Sequence, residues 1–315
     1  MPPTRRSQVF RLCLRLAPRS ARYVYRRLTT TRILNSVEEL DELLLELDEA
    51  AKISDDELRR RFTTFSMEYP ANTEKDPYSN EYKVAQAALY ERLSGKTYSP
   101  ENEVSVFDVD EAIHQPFPYS TNSPGTVGNH IIAVGNVIRH IHSPPPSTIL
   151  EFGPGWGNTT LMLARMGYRV TAVDVEKRFI ELIQKRAAQK SLEIECIQGD
   201  FAFISDTSRK WDTILFFECF HHCFEHQKLI SWLDGAVNEG GQVIFAAEPI
   251  TDAFPLPWGV RLDGESLWAI RKFGWCELGF QESYFRELLL KEGWSVERTD
   301  CTDTPLGTVF TATRS

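Results

Sequence analysis

One stretch, Thr148–Asp174, limits what this chain can become. Ile149–Phe152 is a short apolar run with the length of a buried strand, and Gly153-Pro-Gly155-Trp-Gly157 follows it as a tight glycine loop. Thr159–Met166 has helical patterning and stops at Gly167, a good C-cap. A second apolar run, Arg169–Val173, ends on Asp174. Strand, loop, helix and strand in that order make a βαβ unit with a ligand loop at the first crossover. The glycines let the chain turn sharply and let a ligand lie against bare backbone at a helix N-terminus. Asp174 stands 21 residues after Gly153, at the carboxyl end of the second strand. An acid there can accept hydrogen bonds from two ribose hydroxyls, so the unit reads as a ribonucleoside site.

The dinucleotide pattern G-x-G-x-x-G would put its third glycine at position 158, where Asn158 stands. The pattern present is E-x-G-x-G-x-G, from Glu151 through Gly153 and Gly155 to Gly157. It resembles motif I of the class I S-adenosylmethionine (SAM) dependent methyltransferases. Three more stretches carry the resemblance: Gly199-Asp200-Phe201 after a third strand, Trp211–Phe217 followed by Glu218-Cys-Phe-His221-His222, and Glu239-Gly-Gly241 leading into Gln242–Ala247. The resemblance spans roughly residues 117–315. It implies SAM as cofactor, with the glycine loop around its amino-acid end, Asp174 on the ribose, and Asp200 and Phe201 at the adenine. Glu151 and Glu218 join this cofactor-binding set, and the strand before Glu218 ends beside the transferable methyl group.

The implied fold is α/β, a Rossmann-like seven-stranded methyltransferase sheet, mostly parallel with a terminal antiparallel hairpin, preceded by an N-terminal helical subdomain. The expected divisions are a basic arm over 1–35, disordered or loosely packed, a helical subdomain over 36–115, and the methyltransferase domain over 116–315. Capping boxes at Ser36-x-x-Glu39 and Ser54-x-x-Glu57 open two of the early helices, the second carrying Leu58, Phe62 and Phe65. A third spans about 80–93. Residues 250–280 break the βα alternation and hold Trp258, Trp268, Phe273 and Trp275 among Arg261, Arg271 and Lys272. An aromatic insertion there can build an acceptor pocket, or equally a second small core. Trp258 and Arg261, with Tyr119, Asn129 and His130 from the segment before motif I, are the candidate acceptor-site residues.

Charge is uneven. Residues 1–32 hold nine arginines and no acid, while the whole chain carries −9, which leaves −18 on residues 33–315. An acidic body argues against a nucleic-acid substrate, which needs a basic track. The arginine-rich start can lie on an anionic membrane surface, or remain a loose basic arm. No stretch approaches 18 consecutive apolar residues. Six cysteines without a disulfide-like framework point to a reducing, cytoplasmic setting.

Methyl transfer from a sulfonium is an in-line displacement, and orientation alone can lower its barrier by about 7–11 kcal/mol. A hydroxyl acceptor must lose its proton, and an imidazole can take it near neutrality. His221 or His222 is the expected base, with only one of two sequence neighbours facing the acceptor, and Glu248 orients it or serves as a second base. Cys219, His221, His222, Cys223 and His226 also form a Cys/His cluster, but zinc wants further ligands and no spacing supplies them, so no metal is expected. The resemblance, carried further by Pro116–Ser120 and the aromatic region after strand five, implies methylation of a sugar or glycan hydroxyl. The alternatives are O- or N-methylation of a phenol- or quinone-like small molecule, and a SAM-binding subunit without turnover.

Overall fold

The computed structural model describes residues 32–70, 76–114 and 123–314; residues 1–31 of the arginine-rich arm and Tyr119 lie outside them. Strand β1 (Arg32–Leu34) leads to α1 (Val37–Ile53) and α2 (Asp55–Phe62). Both helices start on the expected caps, Ser36 Oγ accepting from Glu39 N–H and Ser54 Oγ from Glu57 N–H. Phe65 leaves the second helix and begins β2 (Phe65–Met67), which pairs in parallel with β1. Then come α3 (Asn80–Ser94), closed by Gly95 in the left-handed region, the single turn α4 (Val109–Ala112) and α5 (Pro124–Arg139).

From there β and α alternate: β3 (Thr148–Phe152), α6 (Asn158–Arg165), β4 (Arg169–Asp174), α7 (Lys177–Gln189), β5 (Ile194–Gln198), β6 (Trp211–Phe217), α8 (His226–Ala236) and β7 (Val237–Ala246). The insertion forms β8 (Trp258–Val260), α9 (Gly264–Phe273) and β9 (Leu278–Phe280). The chain ends on α10 (Glu282–Lys291), β10 (Trp294–Asp300) and β11 (Thr308–Arg314). The large sheet has seven strands in the order β10-β11-β7-β6-β3-β4-β5. Only β11 runs antiparallel, to both β7 and β10. The Glu239-Gly-Gly241 turn belongs to β7 itself, and the register against β6 shifts there. A Cβ at Gly241 would lie 2.8 Å from the Asp212 carbonyl, so the bulge needs glycine.

Parallel strands covered on both faces should be apolar on both, and these are. Ile149, Leu215 and Ile244 face α5 and α6, through Ala133, Val134, Val137 and Leu163. Their neighbours Leu150, Phe216 and Phe245 face the opposite side, with Leu229 and Leu233 of α8 and Phe285 and Leu289 of α10. The second core is continuous with the N-terminal helices and the insertion. Phe62 packs on Trp268, Tyr82 on Trp258, and Arg271 grips both carboxylate oxygens of Asp41 at 2.6 and 2.8 Å. No helix among the described residues is long and apolar enough to cross a membrane.

Candidate active site

Strand order reverses beside β3, with β4 on one side and β6 on the other, so the ligand crevice of such a sheet lies outside the carboxyl ends of these strands. The glycine loop and the turn after β6 meet there. Gly153 has φ +55°, and a Cβ on it would stand 2.6 Å from Cys219 Cβ. Cys219 Sγ–H in turn donates to the Phe152 carbonyl at 3.1 Å.

Asp174 is 6% exposed. Its Oδ2 accepts from Gly155 N–H at 3.1 Å and its Oδ1 from Glu176 N–H at 2.9 Å, so each oxygen keeps a lone pair for a further donor. Burial pushes its pKa up to about 6, against those two N–H groups. Glu151, on the neighbouring strand, accepts from Thr160 Oγ1–H at 2.6 Å, and burial lifts it to about 7. Among the described residues neither carboxylate has an ion-pair partner. Arg186 fixes the loop from behind, donating to the Trp156 and Ala112 carbonyls. At the end of β5, Asp200 accepts from Ala202 N–H and caps a short turn. That turn presents Phe201, whose ring centroid lies 5.4 Å from that of Phe152.

The second part of the site sits at the ends of β6 and β7. Glu248 is 1% exposed, and its carboxylate gathers the turn after β6. Oε1 accepts from the N–H groups of Cys219 and Phe220, both at 2.9 Å, and Oε2 from His221 N–H at 3.1 Å. Oε2 also takes His221 Nδ1–H at 2.6 Å. A carboxylate can only accept, so this contact fixes the tautomer and leaves Nε2 with its lone pair. Burial works to raise Glu248, but the His221 ring and the backbone N–H groups hold it below its ordinary value. Burial and the neighbouring His222 depress His221, leaving it neutral near pH 7. His222 behaves oppositely. Although burial opposes it, Glu103 beside Nδ1, at 3.3 Å, brings its pKa to about 9. His222 Nδ1–H donates to the Cys276 carbonyl at 2.7 Å.

The two rings do not diverge as sequence neighbours on a regular helix would. They lie in a one-turn 3-10 segment, with centroids 4.2 Å apart. Glu218, with φ +56°, leads into this turn; its charge acts on His130 of α5, whose ring stacks on Phe217 at 5.6 Å. Arg261 reaches the cluster through Glu277, with Nη1 3.3 Å from Glu277 Oε2, and pairs with Asp263. Trp258 lies elsewhere: it is 2% exposed, donates Nε1–H to the Pro77 carbonyl, and packs against Tyr82, Phe224 and His226. Asn129 gives its backbone carbonyl to Thr304 Oγ1–H.

Three residues of this region carry no local signal in the sequence. Glu277 immediately precedes β9, and Glu103 comes from the polar stretch before α4. That stretch is held by Ser105 N–H on Glu176 Oε2 and by Phe107 stacked on Trp156 at 5.0 Å. Asn158 opens α6, and its buried Nδ2 has no hydrogen-bond partner in the described structure.

Residues 149–241 match the sequence model of the "Methyltransferase domain" family, Methyltransf_25. Over those residues the chain carries a methyltransferase domain. A mitochondrial ribosomal RNA small subunit methyltransferase of Arabidopsis thaliana is 34% identical over 79 residues, 23% of this chain and 21% of that protein. A ubiquinone biosynthesis O-methyltransferase of Coxiella burnetii is 26% identical over 98 residues, 31% of this chain and 42% of that protein. The chain thus spans less than half the length of these curated relatives. The magnesium protoporphyrin IX methyltransferase of Synechocystis PCC 6803, solved with bound SAH, overlays with a TM-score of 0.44 at 19% identity, covering 72% of this chain and 93% of that one.

Proposed function

We propose that the protein transfers the methyl group of SAM to a hydroxyl oxygen, and that His221 takes the hydroxyl proton. The observation that carries this is the Glu248–His221 pair. A buried carboxylate holds Nδ1–H at 2.6 Å, so the neutral imidazole presents Nε2 as a proton acceptor beside the crevice. SAM carries a cationic sulfonium and an ammonium. The buried Glu151 and Asp174 carboxylates suit that charge and the ribose, and Asn158 Nδ2 with the α6 N-terminus suits the SAM carboxylate. Gly153, Gly155 and Gly157 shape the loop, Asp200 and Phe201 serve the adenine, and Glu218 lies at the methyl end.

In the reaction, an oxygen lone pair attacks the methyl carbon as the carbon–sulfur bond breaks. His221 Nε2 receives the proton, and Glu248 stabilises the imidazolium that forms. As acceptor we propose a sugar or glycan-type hydroxyl, with His130 and Arg261 at the margins of its site. The acidic body, −18 over residues 33–315, fits a small acceptor better than a nucleic acid. Trp275, whose ring centroid is 6.3 Å from that of His222, favours the second reading, a flat phenolic acceptor. Such an acceptor also agrees with the name of the Coxiella burnetii relative. Calorimetric titration with SAM, followed by acceptor screening by product mass, tests the assignment. A gain of about 14 daltons on a sugar or a phenol, CH3 in place of hydrogen, selects between the acceptors. Absence of SAM binding overturns the proposal.

A further inference from the structure

We propose that His221, His222 and Glu277 form a binding site for a divalent transition metal, zinc foremost, and that the bound ion blocks proton acceptance at His221. The three side chains each offer one donor atom, and these atoms all lie within 4.8 Å of one another. His221 Nε2 stands 3.7 Å from Glu277 Oε2. Two imidazole nitrogens and a carboxylate oxygen are a known zinc donor set, with bonds of about 2.0–2.2 Å. Tetrahedral bonds of that length separate donors by roughly 3.3 Å, so the site closes with small side-chain rotations.

The independent observation lies behind the rings. A metal-ligating histidine gives its other N–H to a carboxylate or a carbonyl, which fixes the ring and points Nε2 at the ion. His221 gives Nδ1–H to Glu248 at 2.6 Å, and His222 gives Nδ1–H to the Cys276 carbonyl at 2.7 Å with Glu103 alongside, so zinc enters by displacing the Nε2 proton that His222 otherwise holds. Arg261 holds Glu277 through Oε2, the same oxygen that faces His221 Nε2. The nearby thiols are poor competitors: Cys219 and Cys223 are buried, and Cys219 Sγ–H is turned to the Phe152 carbonyl. The sequence spacing conceals this site because its third ligand arrives from the far end of the insertion. The inhibition rests on the reading of His221 as base, since one lone pair cannot hold both metal and proton. Metal binding itself does not rest on it.

The test is a zinc titration of the full chain after stripping with a chelator, by calorimetry and by competition with a chromophoric chelator. Cobalt(II) absorption reports the coordination. One equivalent is expected, with affinity falling at least ~10-fold in Glu277→Gln and in His222→Ala but unchanged in Cys219→Ser. Glu277→Asp, which keeps a carboxylate, retains more affinity than Glu277→Gln, and melting curves without metal show that the variants fold. Wild type that binds no zinc, or binding indifferent to Glu277→Gln and His222→Ala, overturns the site. Methyl transfer measured with and without zinc separates the two claims. Loss of turnover on zinc binding supports the inhibition. Unaltered turnover with zinc bound overturns it, together with His221 as proton acceptor. Zinc binding by a chain that transfers no methyl group even when free of zinc overturns the methyl-transfer proposal alone.

Discussion

The carboxyl ends of β3–β5 and those of β6–β7 are assembled by different means. On the first side the working groups lie close together in sequence. Glu151, the glycine loop and Asp174 fall within one βαβ unit, and the contacts that fix Asp174 come from Gly155 and Glu176. On the second side no short segment contains the site. Glu248 gathers a turn that precedes it by a whole helix and strand, Glu103 arrives from before the sheet begins, and Glu277 from the insertion. The charges differ as well. Glu151 and Asp174 have no ion-pair partner among the described residues, and burial raises their pKa values. Glu248 has an imidazole and three N–H groups, and stays ionised.

The largest effect falls on the second side. His221→Ala should lower methyl transfer by ~10²–10⁴ while SAM affinity stays unchanged. His222→Ala should retain more activity and shift the acid limb of the pH–rate profile upward. His222 is a cation 4.2 Å away in ring centroid that depresses His221, and its removal lets His221 protonate at higher pH. Full activity in His221→Ala would dissolve the division of roles between the two rings.

Trp258 offers the next contrast, between an acceptor-binding aromatic and a core one. Its burial and its contacts with Tyr82, Phe224 and His226 give it the second role. Trp258→Ala should cost about 3–5 kcal/mol of stability. Below its lowered melting temperature the variant should keep the acceptor KM of the wild type. A raised KM with unchanged melting would return Trp258 to the acceptor site.

These outcomes bear on what could be read without a structure. The βαβ unit, the strand alternation and the caps at Ser36 and Ser54 were legible because their causes are local: apolar periodicity, glycine and side-chain capping. His221, His222 and Glu248 were legible as candidates, but not their roles. Which histidine stays neutral depends on Glu103 and Glu248, and their proximity is a product of the fold. The insertion was ambiguous for the same reason, since aromatic residues look alike whether they line a pocket or fill a core. Its packing against α1–α3 decides for the core at Trp258 and Trp268, while Glu277 and Arg261 of the same segment turn toward the histidines.

The buried charge on the first side should appear in pH-dependent stability. The folded-state pKa of Glu151 is raised from 4.5 to about 7, so the folded protein favours its protonated form. The stability this lends is fully present below pH 4.5 and is lost as pH rises through about 7. Glu151→Gln removes the titration and should gain up to about 3 kcal/mol at pH 8 relative to the wild type. It should also weaken SAM binding. Parallel loss of stability and of SAM affinity would mean that Glu151 is a structural acceptor for Thr160 and nothing more.

Two glycines of one loop give the smallest and sharpest distinction. Gly157 has φ +74°, and a Cβ on it would stand 2.4 Å from Ile183 Cγ1, so Gly157→Ala must push the Ile183 side chain of α7 aside. Gly155 has φ +51°, and a Cβ there would meet no protein atom within 4 Å. Its cost to the fold is therefore only that of the left-handed backbone, about 1 kcal/mol. If SAM lies against this loop, Gly155→Ala should leave the melting temperature within a few degrees of the wild type and still weaken SAM binding measurably. Gly157→Ala should lower both together, because the loop and the helix behind it move as one. Equal SAM affinity in wild type and Gly155→Ala would mean that the cofactor does not touch the loop at Gly155, and would confine its contacts to Asp174 and the α6 N-terminus.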